Sequence, residues 1–383
     1  MKILQICSAR QLGGGEKHLA DLANALARRG HNVFAALAPS SPLLAELNAV
    51  PKQNLVELRM RNSLNVASGL KMARFAREHQ IEIIHAHVAR DYPLAAFVSR
   101  QAGARLVLTR HVLFPLSGIH RLTLRRTARV IAVSQAVADG LREQGIFAPD
   151  TIVLIHNGID VDRFASAARA FRESEAAGQK ESTSERLRVG MVGHLAPIKG
   201  QEDFVRAAAI VCGLRDDVEF IIAGEDKSQS GEHRQGIERL IAQLDLNQRV
   251  RLSGWVDDIA ELLPTFDLFI SPSRSEPFGL SIVEAMTAGT PVVASMSEGA
   301  REIVDDNHTG RLVPIGDVDA LAKVICELLS DPAQREHLSA NAQRVVRERF
   351  SLERMVTETQ KVYEQVLDRS GGPLEKLARA SRP

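Results

Sequence analysis

The chain has 383 residues, 45% hydrophobic and 25% charged, with a formal net charge of +1 at pH 7. That length exceeds one ordinary hydrophobic core and predicts two domains of roughly 150 to 190 residues. No apolar run reaches the roughly 20 residues that cross a bilayer, which argues against a spanning segment, and no nucleic-acid partner is expected.

The first elements alternate. Lys2–Cys7 reads as a buried strand rather than a signal peptide, since no extended apolar core or small-residue cleavage site follows. Glu16–Arg29 has the spacing of an amphipathic helix and Asn32–Leu37 that of a strand. Val66–His79 predicts a helix, Ile81–His85 a strand, Pro93–Gln101 a helix, Arg105–Thr109 a strand, and Val130–Val133 and Thr151–Ile155 two more strands. From Ala165 to Arg186 the pattern breaks into Ala, Ser, Glu, Arg and Lys, which reads as a linker or a solvated helix. A second series follows: Arg188–Val192, a helix over Gln201–Val211, Val218–Ala223, a helix over Ile237–Leu244, Val250–Ser253, Leu268–Ser271, Pro291–Ala294 and Arg311–Val313. Leu352–Leu367 predicts a last helix, and the polar tail from Asp368 predicts disorder. Alternation of short β-branched runs with helices is the pattern of doubly wound parallel sheets, here two Rossmann-like domains facing each other across a cleft. The expected division is 1–165, a linker over 166–186, a second domain over 187–350, a helix over 351–368 packing toward the first domain, and a flexible tail over 369–383.

The three cysteines, Cys7, Cys212 and Cys326, show no CxxC or Cys/His spacing. They read as core filler in a reducing compartment, with no disulfide framework or zinc site. Charge is unevenly placed: residues 1–165 hold 21 Lys+Arg against 12 Asp+Glu, and the remainder 27 against 35. No acid occurs between Tyr92 and Ala138, while Arg110, Arg121, Arg125 and Arg126 fall there beside Phe114 and Ile119–Leu124. Such a basic, partly apolar stretch predicts an anionic acceptor or an anionic membrane surface for the first domain.

The most informative segment runs from Ser271 to Met286, after the strand Leu268–Ile270. A helix opening near Gly279 and Leu280 presents free N–H groups and the positive end of its dipole, a ready phosphate site. Glu276 precedes that helix and Glu284 lies about one turn inside it, so both carboxylates can accept bonds from sugar or ribose hydroxyls. Val192-Gly193-His194 through Lys199-Gly200 forms a second strand-to-helix turn suited to phosphate. Gly13-Gly14-Gly15-Glu16 is a third, and it is not a GxGxxG dinucleotide fingerprint. Thr109-Arg110-His111 ends a strand, where an imidazole is well placed for a ligand. His85 and His87 share one face by alternation, but no acid or third His follows at ligand spacing, so lining or packing is expected and no metal.

Glu276–Glu284, with Pro277-Phe278-Gly279 inside and Ala285-Met286 to Pro291 after it, resembles the Glu-x7-Glu segment of the retaining family-4 glycosyltransferases of GT-B fold. The resemblance covers most of the chain and is strongest over 188–316. It implies that Glu276 lies by the donor sugar, that Glu284 binds ribose hydroxyls, and that His111 contacts the sugar. Lys199 matches a diphosphate-binding cation of the family, while His194 stands where the family usually has Arg, losing a permanently charged fork. Gly14 and Gly15 match the family's glycine-rich loop. Gly224, Phe278, Gly279, Leu280 and Val256 fall in segments that surround nucleotide and phosphates, with Trp255 beside the last of them. His156-Asn157-Gly158 and Asp160 resemble its Asn-Gly-Val-Asp segment.

The implied activity is metal-independent, retaining transfer of a hexosyl group from a UDP- or GDP-sugar, with no cofactor. The acceptor is a glycan, a lipid-linked glycan or another anionic molecule, in cell-envelope polysaccharide or lipopolysaccharide-type synthesis. The expected place is the cytoplasm, including the inner face of the cytoplasmic membrane. Two alternatives stand beside it: a GT-B nucleotide-sugar epimerase, and a non-catalytic carbohydrate-binding protein, which one Trp and two Tyr serve poorly.

Overall fold

The computed structural model describes residues 1–60, 66–177, 186–228 and 230–368. It divides into two compact units, residues 1–158 with 352 onward, and Ile159–Ser351.

The first unit holds seven strands: β1 (Lys2–Cys7), β2 (Asn32–Leu37), β3 (Leu55–Glu57), β4 (Ile83–Ala86), β5 (Arg105–Arg110), β6 (Arg129–Ala132) and β7 (Ile152–Leu154). They form one parallel sheet in the order β3-β2-β1-β4-β5-β6-β7. Ile3 pairs with Val33 on one side and Ile83 on the other. Helices cover both faces, which is why these strands are nearly continuous apolar runs rather than alternating ones. The second unit holds β8 (Leu187–Val192), β9 (Val218–Ala223), β10 (Val250–Gly254), β11 (Leu268–Ser271), β12 (Val292–Ser295) and β13 (Arg311–Val313), again all parallel, in the order β10-β9-β8-β11-β12-β13. In both sheets the order reverses at the first strand, between β1 and β4 and between β8 and β11, which leaves a crevice at the carboxyl ends of those strands.

The helix Leu352–Asp368 belongs to the first unit although its sequence follows the second. Met355, Val356, Val362, Tyr363 and Val366 form one face of it and share a core with Leu19, Leu22 and Leu26 of the helix Gly14–Arg28. Arg29 fastens its start, pairing with Glu353 at 2.5 Å and donating to Thr357 Oγ1 at 2.8 Å.

Two sequence expectations change. The first unit ends at Gly158 rather than at 165. Val161–Ala176 is a helix of the second unit where composition suggested a linker over 166–186, of which 178–185 lie outside the described residues. Phe164, Ala168 and Phe171 sit at i, i+4 and i+7, and Phe164 and Ala168 are buried; a window opened at Ala165 omits the first of them. The short strand β3 and the helices Gln135–Gln144, Val318–Ser330 and Pro332–Arg349 were not singled out. The expected flexible tail over 369–383 lies outside the described residues. No helix among the described residues is long and apolar enough to cross a membrane.

Candidate functional site

In the second unit the loops after β8, β9, β10 and β11 meet at the carboxyl edge of the sheet. Gly193 N–H donates to Ala223 C=O at 3.0 Å, and Gly224 N–H to Gly254 C=O at 2.8 Å. Gly224 has φ +146°, and a Cβ there would lie 1.9 Å from Gly193 O, so only glycine lets these two backbones touch. The loop after β8 continues through His194 to a single turn, Pro197–Lys199, and then to the helix Gln201–Leu214. The buried Gln201 side chain holds that loop, its Nε2 donating to His194 C=O at 2.8 Å.

Lys199 and Glu276 approach each other from either side of the β8/β11 crevice, their Nζ and Oε2 2.5 Å apart and both side chains mostly shielded. Glu276 is set by the element beyond it: its N–H donates to Glu298 Oε2 at 3.3 Å, and its C=O accepts from Gly299 N–H at 2.8 Å. Gly279 caps the helix Leu280–Ala288 with φ +112°. The first bond into that turn runs from Ile282 N–H to Gly279 C=O, so the N–H groups of Gly279, Leu280 and Ser281 precede the helical ladder. Glu284 is buried within that helix, and Phe278 is buried edge-on against Phe350.

His194 has its pKa pushed down to about 4, first by burial and then by the charges of Lys227 and Lys199. Two ammonium groups therefore act on the place where the sequence offers an imidazole instead of Arg. Lys227, not singled out from the sequence, follows Gly224 by three residues and stands over the half-exposed Trp255 ring at 5.6 Å. Val256 follows in the same loop, half-buried.

The first unit gathers a different set. The helix Gly14–Arg28 starts without a side-chain cap, and Gly15 lies against His111: a Cβ there would sit 3.4 Å from the ring. The same helix brings His18 to His111, ring centroids 4.7 Å apart, and to His87 at 5.7 Å. The rings of His85 and His87 are tilted by 37° with centroids 4.2 Å apart, and those of His87 and His111 lie nearly parallel at 5.8 Å. Burial lowers the pKa of all four, that of His18 to about 4, so they are neutral at pH 7. A third histidine thus does join His87 and His111, contrary to the expectation from spacing along the chain. It comes from a different element, one turn beyond Gly14-Gly15, where linear spacing gives no signal.

Arg110 does not belong to the basic surface expected of it. It is buried beside Tyr92, and its guanidinium donates to Phe114 C=O. Both faces of β5 are covered, and every residue after Arg105 is buried, Arg110 at its carboxyl end included. Arg121, Arg125 and Arg126 are exposed, together with Phe114 at 72% and Leu122 at 73%.

Known proteins match this architecture along its length. Residues 12–163 match the family model "Glycosyltransferase Family 4", and residues 173–345 match "Glycosyl transferases group 1". A phosphatidyl-myo-inositol mannosyltransferase of Mycobacterium leprae is 30% identical over 383 residues, 96% of this chain and 97% of its own. An N-acetyl-alpha-D-glucosaminyl L-malate synthase of Bacillus anthracis is 27% identical over 385 residues, covering 94% of this chain and 96% of its own. The crystal structure of Anabaena HepE in complex with UDP superposes with a TM-score of 0.81 at 25% identity, covering 95% of this chain and all of that one. The chain belongs to glycosyltransferase family 4 and has the two-domain GT-B fold.

Proposed function

We propose that this glycosyltransferase moves a hexosyl unit from a nucleoside-diphosphate sugar, UDP- or GDP-linked, to a glycan or lipid-linked acceptor with retention of anomeric configuration. The observation that carries the reading is the Lys199–Glu276 pair at the β8/β11 crevice, where a phosphate-binding cation and a sugar-orienting carboxylate are side by side. Structures of the Anabaena relative with UDP and with UDP-glucose support the donor class.

In this reading Lys199 and the N–H groups at Gly279 and Leu280 take the charge that grows on the departing diphosphate. His194 adds a neutral donor there, and Lys227 supplies the cation that the missing Arg would have given. Those positive groups serve the diphosphate without a divalent metal. Glu284 holds the ribose hydroxyls, and Gly224, Val256 and Phe278 shape the nucleotide pocket. Glu276 orients the sugar, and His111, beside Gly14 and Gly15, takes the sugar-contacting role that the family resemblance implies. The acceptor hydroxyl attacks the anomeric carbon on the leaving-group face, the C1–O bond to phosphate breaks, and the departing phosphate oxygen takes the acceptor proton. Arg121, Arg125 and Arg126, with Phe114 and Leu122, are the surface for an anionic acceptor or membrane face, and the reading puts the work in cell-envelope glycan synthesis at the inner side of a cytoplasmic membrane.

Incubation with UDP-, GDP- and ADP-sugars tests this reading, with hydrolysis followed without acceptor and anomeric configuration read by NMR on any product. Slow release of sugar with the α-configuration of the donor supports it. An epimerised donor replaces it with the epimerase, and sugar binding without nucleotide binding replaces it with a lectin-like role.

A further inference from the structure

We propose that His18, His87 and His111 form a site for one borderline transition-metal ion, zinc being the reference case. One ring nitrogen from each, taken together, lie within 4.8 Å of one another. Nδ1 of His18, Nδ1 of His87 and both ring nitrogens of His111 are shielded from solvent and have no hydrogen-bond partner. A buried ring nitrogen without a partner is costly, and each of the three clustered rings carries at least one.

The surroundings fix which nitrogen His87 offers. His87 Nε2 donates to Gln5 Oε1 at 2.8 Å, so its Nδ1 carries the lone pair. This is the arrangement usual for metal-ligating imidazoles, in which the second nitrogen is tied to an oxygen acceptor. His85 is excluded as a ligand because both its nitrogens are engaged, Nδ1 with Tyr363 Oη at 2.6 Å and Nε2 with Thr109 Oγ1 at 2.7 Å. It backs His87 instead, and so couples the site to the helix Leu352–Asp368.

Three imidazoles suit zinc, nickel, copper or iron, and the absence of a carboxylate from this trio disfavours magnesium and calcium. Tetrahedral zinc at about 2.0–2.1 Å from nitrogen needs nitrogens about 3.4 Å apart. Ring rotations that draw the nitrogens in by up to about 1.4 Å close the site. The fourth position of such a site falls to water.

One consequence rests on the function proposed above. A metal held by His111 withdraws that ring from the sugar, so zinc inhibits transfer without weakening nucleotide binding in the second unit.

Full-length protein is stripped with chelator, given one equivalent of zinc or cobalt(II), and passed through a desalting column. About one ion per chain is expected to remain, with cobalt showing the visible bands of a tetrahedral site. His18→Ala and His87→Ala should each lower affinity at least tenfold, and the surface variant His308→Ala should not. X-ray absorption on the zinc-loaded wild type reads three imidazoles and holds even if a variant fails to fold. Loss of zinc on the column, equal retention by folded His18→Ala, or a shell with fewer than three imidazoles overturns the site. Zinc that binds in this shell without slowing transfer supports the site and removes His111 from the sugar.

Discussion

Replacing Glu276 and Lys199 separately distinguishes a donor site from an ordinary ion pair. The Lys199 ammonium is engaged by Glu276 at 2.5 Å, with 26% and 12% of the side chains exposed. Nucleoside diphosphate must compete with that carboxylate for the cation. A partly exposed pair of this kind contributes about 0.2–1 kcal/mol, whereas a hydrogen bond from an ammonium to a phosphate contributes about 1.5–3 kcal/mol. Less the pair that it gives up, Lys199→Ala should therefore weaken UDP or GDP binding by about 2- to 100-fold. Glu276→Gln keeps the shape, frees the cation, and should tighten binding of the same diphosphate by about 1.5- to 5-fold. Transfer from the intact donor should nevertheless fall in Glu276→Gln, by on the order of 10²-fold, because the sugar loses a charged partner. Isothermal titration with the diphosphate and a transfer assay with the sugar nucleotide supply both readings. Glu276→Gln that weakens diphosphate binding as much as Lys199→Ala would show that the carboxylate itself builds the phosphate site, and the reasoning fails.

Gly200 has φ +74° and a Cβ there would meet Pro272 O at 2.1 Å, so Gly200→Ala should destabilise the second unit by about 2 kcal/mol or more in urea unfolding. Gly236→Ala, in the helix Glu232–Gln243 with nothing within 4 Å, should stabilise it by about 0.5–1 kcal/mol; similar values for both would remove the close-approach argument. The first unit should lose stability in acid. The unfolded chain protonates His18 near pH 6.5 and the folded chain only near 4, so the contribution is whole above 6.5 and lost as pH falls toward 4. Between pH 7.5 and 5 His18 alone removes about 2 kcal/mol, and His85, His87 and His111 act in the same direction. Amide exchange of β1 and β4 in the presence of chelator measures this, and a flat profile refutes it. Tyr363→Phe strips His85 of a buried partner and should cost about 1–3 kcal/mol, read by the same exchange; an unchanged β4 would detach the last helix from that core. Replacing Arg121, Arg125 and Arg126 together by Ala should reduce binding to vesicles rich in anionic lipid by about 100-fold at low salt, at about 1 kcal/mol per side chain. Wild-type protein that ignores such vesicles would leave the exposed Phe114 and Leu122 to an acceptor.

The sequence by itself determined the two βα series, because strands covered on both faces must be short apolar runs and their helices must repeat every 3.6 residues. It also marked Glu276, Lys199 and Gly279, since strand-to-helix turns with glycine are written in consecutive residues. Three-dimensional packing decided the rest. The helix Val161–Ala176 was hidden by a polar composition whose few apolar residues make sense only once Phe164 meets the second unit's core. Arg110 read as surface charge until the covered end of β5 buried it beside Tyr92. Lys227 entered the site from the loop after β9, brought next to His194 by strand order rather than by sequence distance. Most of all, His18, His87 and His111 come from a helix and two loops separated by 69 and 24 residues, and only the β1/β4/β5 neighbourhood of the folded sheet makes them one cluster.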